Sequence, residues 1–164
     1  MQEVFDLLDK LSIPYKAYNH KPVFTIEDAE NCWNNIEGVL CKNLFLRNQK
    51  GDKHFLVIVE AYKKLSMKLL DIEIGFGKLS FCSPERLLKY LKLSPGSVGP
   101  FGLINDVQHQ VDLYIDIDLE KFEFINFHPN NNSCTITIKF QDLLKYLIYT
   151  GNKFQFINIK NENI

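Results

Sequence analysis

The chain has only two arginines, Arg47 and Arg86, among its 19 basic residues, and 20 acidic residues bring the formal net charge to −1. That balance excludes a protein that coats nucleic acid through bulk electrostatics, although one that touches a single end of an RNA stays compatible with it. No apolar run approaches the roughly 20 residues that span a bilayer, which excludes a transmembrane helix. The first ten residues, MQEVFDLLDK, carry acids where a secretory signal carries bases and an unbroken apolar stretch. Cys32, Cys41, Cys82 and Cys134 form no CxxC pair, so neither a zinc ribbon nor a disulfide framework is suggested. Also missing are a GxSxG elbow, an HExxH helix, a Walker loop and a GxGxxG turn. His20, His54, His109 and His128 stand apart, without a second ligand at helical spacing. The expectation is a soluble, reduced, cytoplasmic protein with no metal and no cofactor.

What is present is core material: 46% apolar and 13% aromatic residues, which rules out a disordered chain. A length of 164 residues predicts one domain spanning 1–164, and neither a linker nor a repeat divides it. Apolar spacing predicts a helix over Val4–Leu11, ended by Pro14, and then a short strand from Tyr15 to Tyr18. Thr25, with Asp28 three residues on, can cap a second helix. Leu44-Phe45-Leu46, a polar turn and His54–Glu60 read as a hairpin whose second strand is continuously apolar and therefore buried. Further helices are expected around Lys68–Ile72, from Ser83-Pro84 to near Leu91, and over Gln141–Tyr149 before Gly151. Strands are expected at Val111–Asp116, Glu123–Phe127, Cys134–Lys139 and Phe154–Ile159. Without a regular βαβ alternation, the fold class is α+β.

Three stretches can carry chemistry. Lys42 stands where an apolar strand begins; its ammonium either reaches solvent or, partly desolvated, binds an anion or a polarised carbonyl. Gly96-Ser97-Val98-Gly99-Pro100 is either a plain turn or a nest that aims successive N–H groups at one point. His128, before Pro129 at a strand end, is either structural or part of a site. Lys63, Lys64 and Lys68 could meet RNA phosphates, but they equally form a solvated helix face, and that second reading is favoured.

Taken in order, His20-Lys21-Pro22-Val23-Phe24-Thr25, Lys42-Asn43-Leu44-Phe45-Leu46, Leu79 to Glu85, Pro95 to Leu103 with Asn105-Asp106, and Phe127-His128-Pro129 resemble the prolyl-tRNA editing family. These are the YbaK/ProX-like aminoacyl-tRNA deacylases. The Lys-Asn-Leu-Phe-Leu and Phe-His-Pro strings resemble its free-standing branch, which clears alanine from proline tRNA, with the cysteine-clearing branch as the alternative. A non-catalytic sensor of an amino acid or a tRNA end is a third reading. The resemblance implies a closed or nearly closed, barrel-like mixed sheet surrounded by helices, a small deep pocket, no metal and no covalent intermediate. It implies a catalytic set of Lys42, Gly96, Ser97 and His128. Thr25, Asn43, Val98, Gly99, Pro100 and an acid, Asp112 or preferably Asp116, would bind substrate. The implied partner is the acceptor end of mischarged tRNA(Pro), with prolyl-tRNA synthetase as a possible second; no membrane and no DNA are involved.

Overall fold

The computed structural model describes residues 1–22 and 35–160, so Thr25, its helix and Cys32 lie outside the described residues. The elements are α1 (Gln2–Lys10), β1 (Lys16–Asn19), β2 (Val39–Asn48), β3 (His54–Glu60), α2 (Met67–Ile74), β4 (Leu79–Phe81) and α3 (Pro84–Leu91). They continue with β5 (Val111–Asp116), β6 (Phe124–Phe127), β7 (Cys134–Lys139), α4 (Phe140–Thr150) and β8 (Phe154–Ile157). Two 3₁₀ turns occupy Pro100–Asn105 and Ile117–Lys121.

The unbroken apolar stretch of β3 has a direct cause, since both faces of this strand are covered. Leu56 and Ile58 pack into a cluster with α1, α3 and α4 through Val4, Leu8, Leu87, Leu91, Leu143 and Tyr146. Phe55, Val57 and Val59 face the other way, against Leu70 and Ile74 of α2. The strands form one eight-stranded mixed sheet in the order β1-β7-β6-β2-β3-β5-β8, with β4 pairing to β2. The pairs β2–β6, β3–β5 and β5–β8 are parallel, and the others antiparallel.

The α+β class expected from the sequence is observed, as a large mixed sheet with helices packed on it. Among the described residues the sheet stays open, β1 and β8 ending it at opposite sides. Instead of closing, it forks at β2. The start of that strand, Val39 and Leu40, pairs with β6, while its end, Leu46–Asn48, pairs with β4 on the same edge. β3 lines the opposite edge from Cys41 to Arg47. Between Leu40 and Leu46, one edge of β2 therefore lacks a partner strand among the described residues. No helix of the described residues is long and apolar enough to cross a membrane.

Candidate active site

The fork is held by a buried polar clasp. Asn126 of β6 donates from Nδ2 to the carbonyls of Glu37 (2.9 Å) and Val39 (3.1 Å), and its Oδ1 accepts from the Thr137 hydroxyl at 2.5 Å. Buried polar groups need such partners, and here they tie β6 to the start of β2 and to β7.

Asn43 faces the opening. Its Oδ1 is buried and has no hydrogen-bond partner among the described residues. A small cavity of about 30 Å³ lies on one side of it, lined by Leu40, Cys41, Asn126, Phe127, His128 and Thr135. On its other side lies a groove of about 290 Å³, bounded by Phe45, Phe81, Cys82, Pro95, Gly96 and Val98 among others. Neither thiol offers a nucleophile: burial pushes the pKa of Cys41 far up, and that of Cys82 up to about 11.

The glycine-rich loop closes over Asn43. Gly96 sits at φ 86°, a left-handed conformation that a side chain would resist. Ser97 is buried and donates its N–H to the Ser94 carbonyl at 3.1 Å, closing a turn. That corrects the expectation of a donor at every position from Gly96 to Gly99. Only the N–H groups of Gly96, Val98 and Gly99 lack a backbone acceptor among the described residues. A Cβ on Gly99 would lie in ordinary contact, 3.5 Å from the His128 carbonyl and 4.0 Å from Asn43 Nδ2. Pro100 is buried below the loop, its carbonyl accepting from the Tyr146 hydroxyl at 3.1 Å. Phe101's carbonyl accepts from Asn130 at 3.2 Å. Pro100 therefore anchors the loop and lines neither cavity.

His128 donates from Nδ1 to the Cys134 carbonyl at 2.7 Å, which leaves Nε2 as the acceptor of the neutral ring. Burial holds its pKa below the usual histidine value; the Cys134 bond opposes that shift and the nearby His20 adds to it. The two rings lie 5.8 Å apart, and His20 is fixed through Lys21's carbonyl (2.8 Å) and the Thr135 hydroxyl (2.9 Å).

Lys42 is separated from this group. Strand neighbours point to opposite faces. Cys41 and Phe45 pack into the cluster beneath α1, and Leu44 and Leu46 into the one beneath α2, so Lys42 departs from the face that Asn43 occupies. Its ammonium donates to the carbonyl of Lys63. Burial lowers its pKa from the usual lysine value, with the charge of Glu60 acting the other way.

Asp116, expected to bind substrate, is turned elsewhere. Fully buried, it takes the Lys63 ammonium on Oδ2 at 2.5 Å, while Oδ1 accepts from Asp118's N–H at 3.3 Å. The favoured reading of a solvated helix face therefore fails for Lys63, which is buried in the turn after β3; Lys64 and Lys68 remain exposed. Asn126 and Thr135 were missed by sequence reasoning. The one signal was a polar residue inside otherwise apolar strands, which has no fixed meaning until its partners are known. Among the described residues, no three His, Cys, Asp or Glu side chains gather as a metal-ligand group.

Backbone N–H groups of the glycine-rich loop thus lie along the groove, with the buried Asn43 oxygen between it and the small cavity and no reactive thiolate at Cys41 or Cys82. Residues 20–146 match the model of the aminoacyl-tRNA editing domain, and the chain belongs to that family. The activity of this class is hydrolytic: deacylation of aminoacyl-tRNA in the service of translation fidelity. The chain is 42% identical over 160 residues to the prolyl-tRNA editing protein ProX of Acetoanaerobium sticklandii, covering 96% of each. It is 32% identical over 148 residues to the zebrafish prolyl-tRNA synthetase associated domain-containing protein 1, covering 89% of this chain and 80% of the relative. In fold it resembles a crystal structure described as a candidate trans-editing enzyme for prolyl tRNA synthetase. That likeness has a TM-score of 0.73 at 18% identity, over 98% of this chain and 96% of the other.

Proposed function

We propose that this chain acts in trans on mischarged alanyl-tRNA(Pro), hydrolysing the ester between alanine and the terminal ribose. The supporting observation is the size of the cavity between Asn43 and His128. At about 30 Å³ it is close to the volume of one water molecule, which suits a methyl group better than a pyrrolidine ring. The relative from A. sticklandii, similar over nearly its whole length, supports proline tRNA as the carrier. A synthetase pocket sized for proline rejects alanine weakly, because each missing methylene is worth only about 1–3 kcal/mol. A second site that proline cannot enter supplies the missing discrimination.

In this reading the ester lies at the unpaired edge of β2, with the alanine methyl in the small cavity and the terminal nucleoside in the adjoining groove. The free N–H groups of Gly96, Val98 and Gly99 stabilise the oxyanion that develops when water attacks the carbonyl. One such donor contributes about 10²–10³-fold. Asn43 Oδ1 accepts from the α-ammonium, which supplies the partner it otherwise lacks. His128 Nε2 accepts a hydrogen bond from the attacking water or from the free ribose hydroxyl. Lys42 holds the phosphate or ribose side across the edge of β2. The bond from the carbonyl carbon to the ribose oxygen breaks, releasing alanine and a free tRNA end, and no protein side chain becomes acylated.

The test is deacylation of alanyl-, cysteinyl- and prolyl-tRNA(Pro) by the purified protein, with Lys42→Ala and EDTA controls. Loss of alanine alone, slowed about 10²–10³-fold but still measurable in Lys42→Ala and indifferent to EDTA, is expected. Selective loss of cysteine would transfer the chemistry to a different substrate, and a folded protein inert toward all three would leave a binding module.

A further inference from the structure

Lys63 connects two parts of the molecule that the site separates. It stands in the turn after β3, where its N–H donates to the Glu60 carbonyl at 3.1 Å. Its ammonium is nearly inaccessible, the side chain being 4% exposed, and it bonds to Asp116 at 2.5 Å and to Asp118 at 2.8 Å. Its carbonyl is the acceptor for the Lys42 ammonium. Burial alone would lower the pKa of Lys63, but the two carboxylates outweigh it and hold the group charged. Asp116 ends β5, which lies parallel to β3 in the sheet, so this anchor ties the turn after β3 to the neighbouring strand.

We propose that Lys63 is a positioning residue for Lys42: its ion pair with buried Asp116 holds the turn that presents the carbonyl on which the Lys42 ammonium is set. A lysine side chain has four rotatable bonds, and a single acceptor at its tip selects among its conformers only if that acceptor is itself immobile. Fixing one N–H of the ammonium leaves two free for the substrate in a defined direction. Misplacement of a positioned group by about 1 Å can cost about 10²-fold in rate, which is the scale of effect at stake. The inference rests on Lys42 acting on substrate, as proposed above.

The experiment is a double-mutant cycle on alanyl-tRNA(Pro) deacylation with Lys63→Met, Lys42→Ala and both together. Lys63→Met is expected to lower kcat by about 10–10²-fold with KM within about twofold. In the Lys42→Ala background the same change should cost nothing further, because the residue it positions is gone. Lys63→Arg, which keeps a cation between the two carboxylates, should recover part of the loss. An equal factor in both backgrounds would overturn the proposal. Labelling of Lys42 relative to exposed Lys64 by an amine-reactive reagent, mapped by mass spectrometry, requires no activity. The ratio should rise in Lys63→Met, and an unchanged ratio also overturns the proposal. If Lys42→Ala leaves deacylation intact, the functional reading of Lys42 fails, and the labelling ratio still decides whether Lys63 holds it. Should Lys63→Met not fold, Lys63→Met/Asp116→Met removes both buried charges and serves in its place.

Discussion

Lys42 and Asn43, neighbours in β2, send their side chains to opposite faces of the sheet, Asn43 toward Gly99 and His128 and Lys42 toward the carbonyl of Lys63. The pair spans the edge of the strand that lacks a partner strand among the described residues, so a substrate lying across that edge can meet both. In the proposed reading, ester and phosphate are handled on different sides of one strand.

The buried Oδ1 of Asn43 has no hydrogen-bond partner among the described residues. An unsatisfied buried acceptor costs about 1–3 kcal/mol. Asn43→Leu is therefore expected to leave stability unchanged or raised while kcat/KM for deacylation falls by about 10²-fold or more. Urea unfolding and a deacylation time course on the same preparation check it. A strongly destabilised variant would assign the carboxamide a structural task instead.

At Gly99 the backbone is extended, at φ −172° and ψ 171°, which any residue can adopt. A Cβ there would meet the His128 carbonyl at ordinary contact distance, 3.5 Å. Gly99→Ala should thus fold with a stability change within about 0.5 kcal/mol. Its methyl group would enter the space between Asn43 and His128 and lower kcat/KM by about tenfold or more. Unchanged kinetics would remove that space from the site.

The neutral, Nδ1-protonated form of His128 should persist below the pH at which an ordinary histidine charges, because burial, joined by His20, lowers its pKa. Nitrogen-15 NMR across a pH titration reads both tautomer and midpoint. Replacing His20 by Gln removes one of the lowering influences, so the midpoint of His128 should move upward. A midpoint at or above about 6.5 in the parent protein contradicts this assignment.

His54 sets part of the acid stability. It is 3% exposed, its Nε2 accepts from Arg86 at 2.8 Å, and its ring lies 3.9 Å from that of Tyr90. Burial, aided by the Arg86 charge, lowers its pKa from 6.5 to about 4. The unfolded chain then binds a proton from about pH 6.5 downward while the folded state refuses it until about pH 4. The stability this group supports is complete above about pH 6.5 and is lost on acidification toward pH 4, by about 3 kcal/mol in total. Urea midpoints at stepped pH should show that decline, and His54→Phe should flatten it. Equal slopes in the two proteins would refute the mechanism.

The strands at Val111–Asp116 and Cys134–Lys139 were legible to the residue, and the Ser83-Pro84 signal located the start of α3, where Ser83 Oγ accepts from Arg86's N–H at 3.3 Å. The beginning of β2 was hidden because Val39-Leu40-Cys41-Lys42-Asn43 mixes polar and apolar residues at an edge that pairs only in part. Three-residue β4 is too short to carry a pattern at all. At the site, the strings around Lys42, Gly96–Gly99 and His128 were visible, but their mutual facing was not. Asp116 looked like a ligand for substrate because a carboxylate at a strand end says nothing of the lysine that meets it.

The sequence by itself determined the local elements and the chemical inventory: helix caps, buried strands, a glycine-rich loop, one strand-borne lysine and a histidine before a proline. These follow from short-range rules of backbone conformation and periodicity. Only the tertiary structure decided that β2 forks, that its open edge sits between Asn43 and the loop, and that Lys42 leans on Lys63 rather than toward His128. Those outcomes depend on strand pairing between residues as distant as Leu40 and Asn126, and on the Lys63–Asp116 ion pair across 53 positions. Pairing of that kind is settled by what the whole core buries together, which no local pattern records.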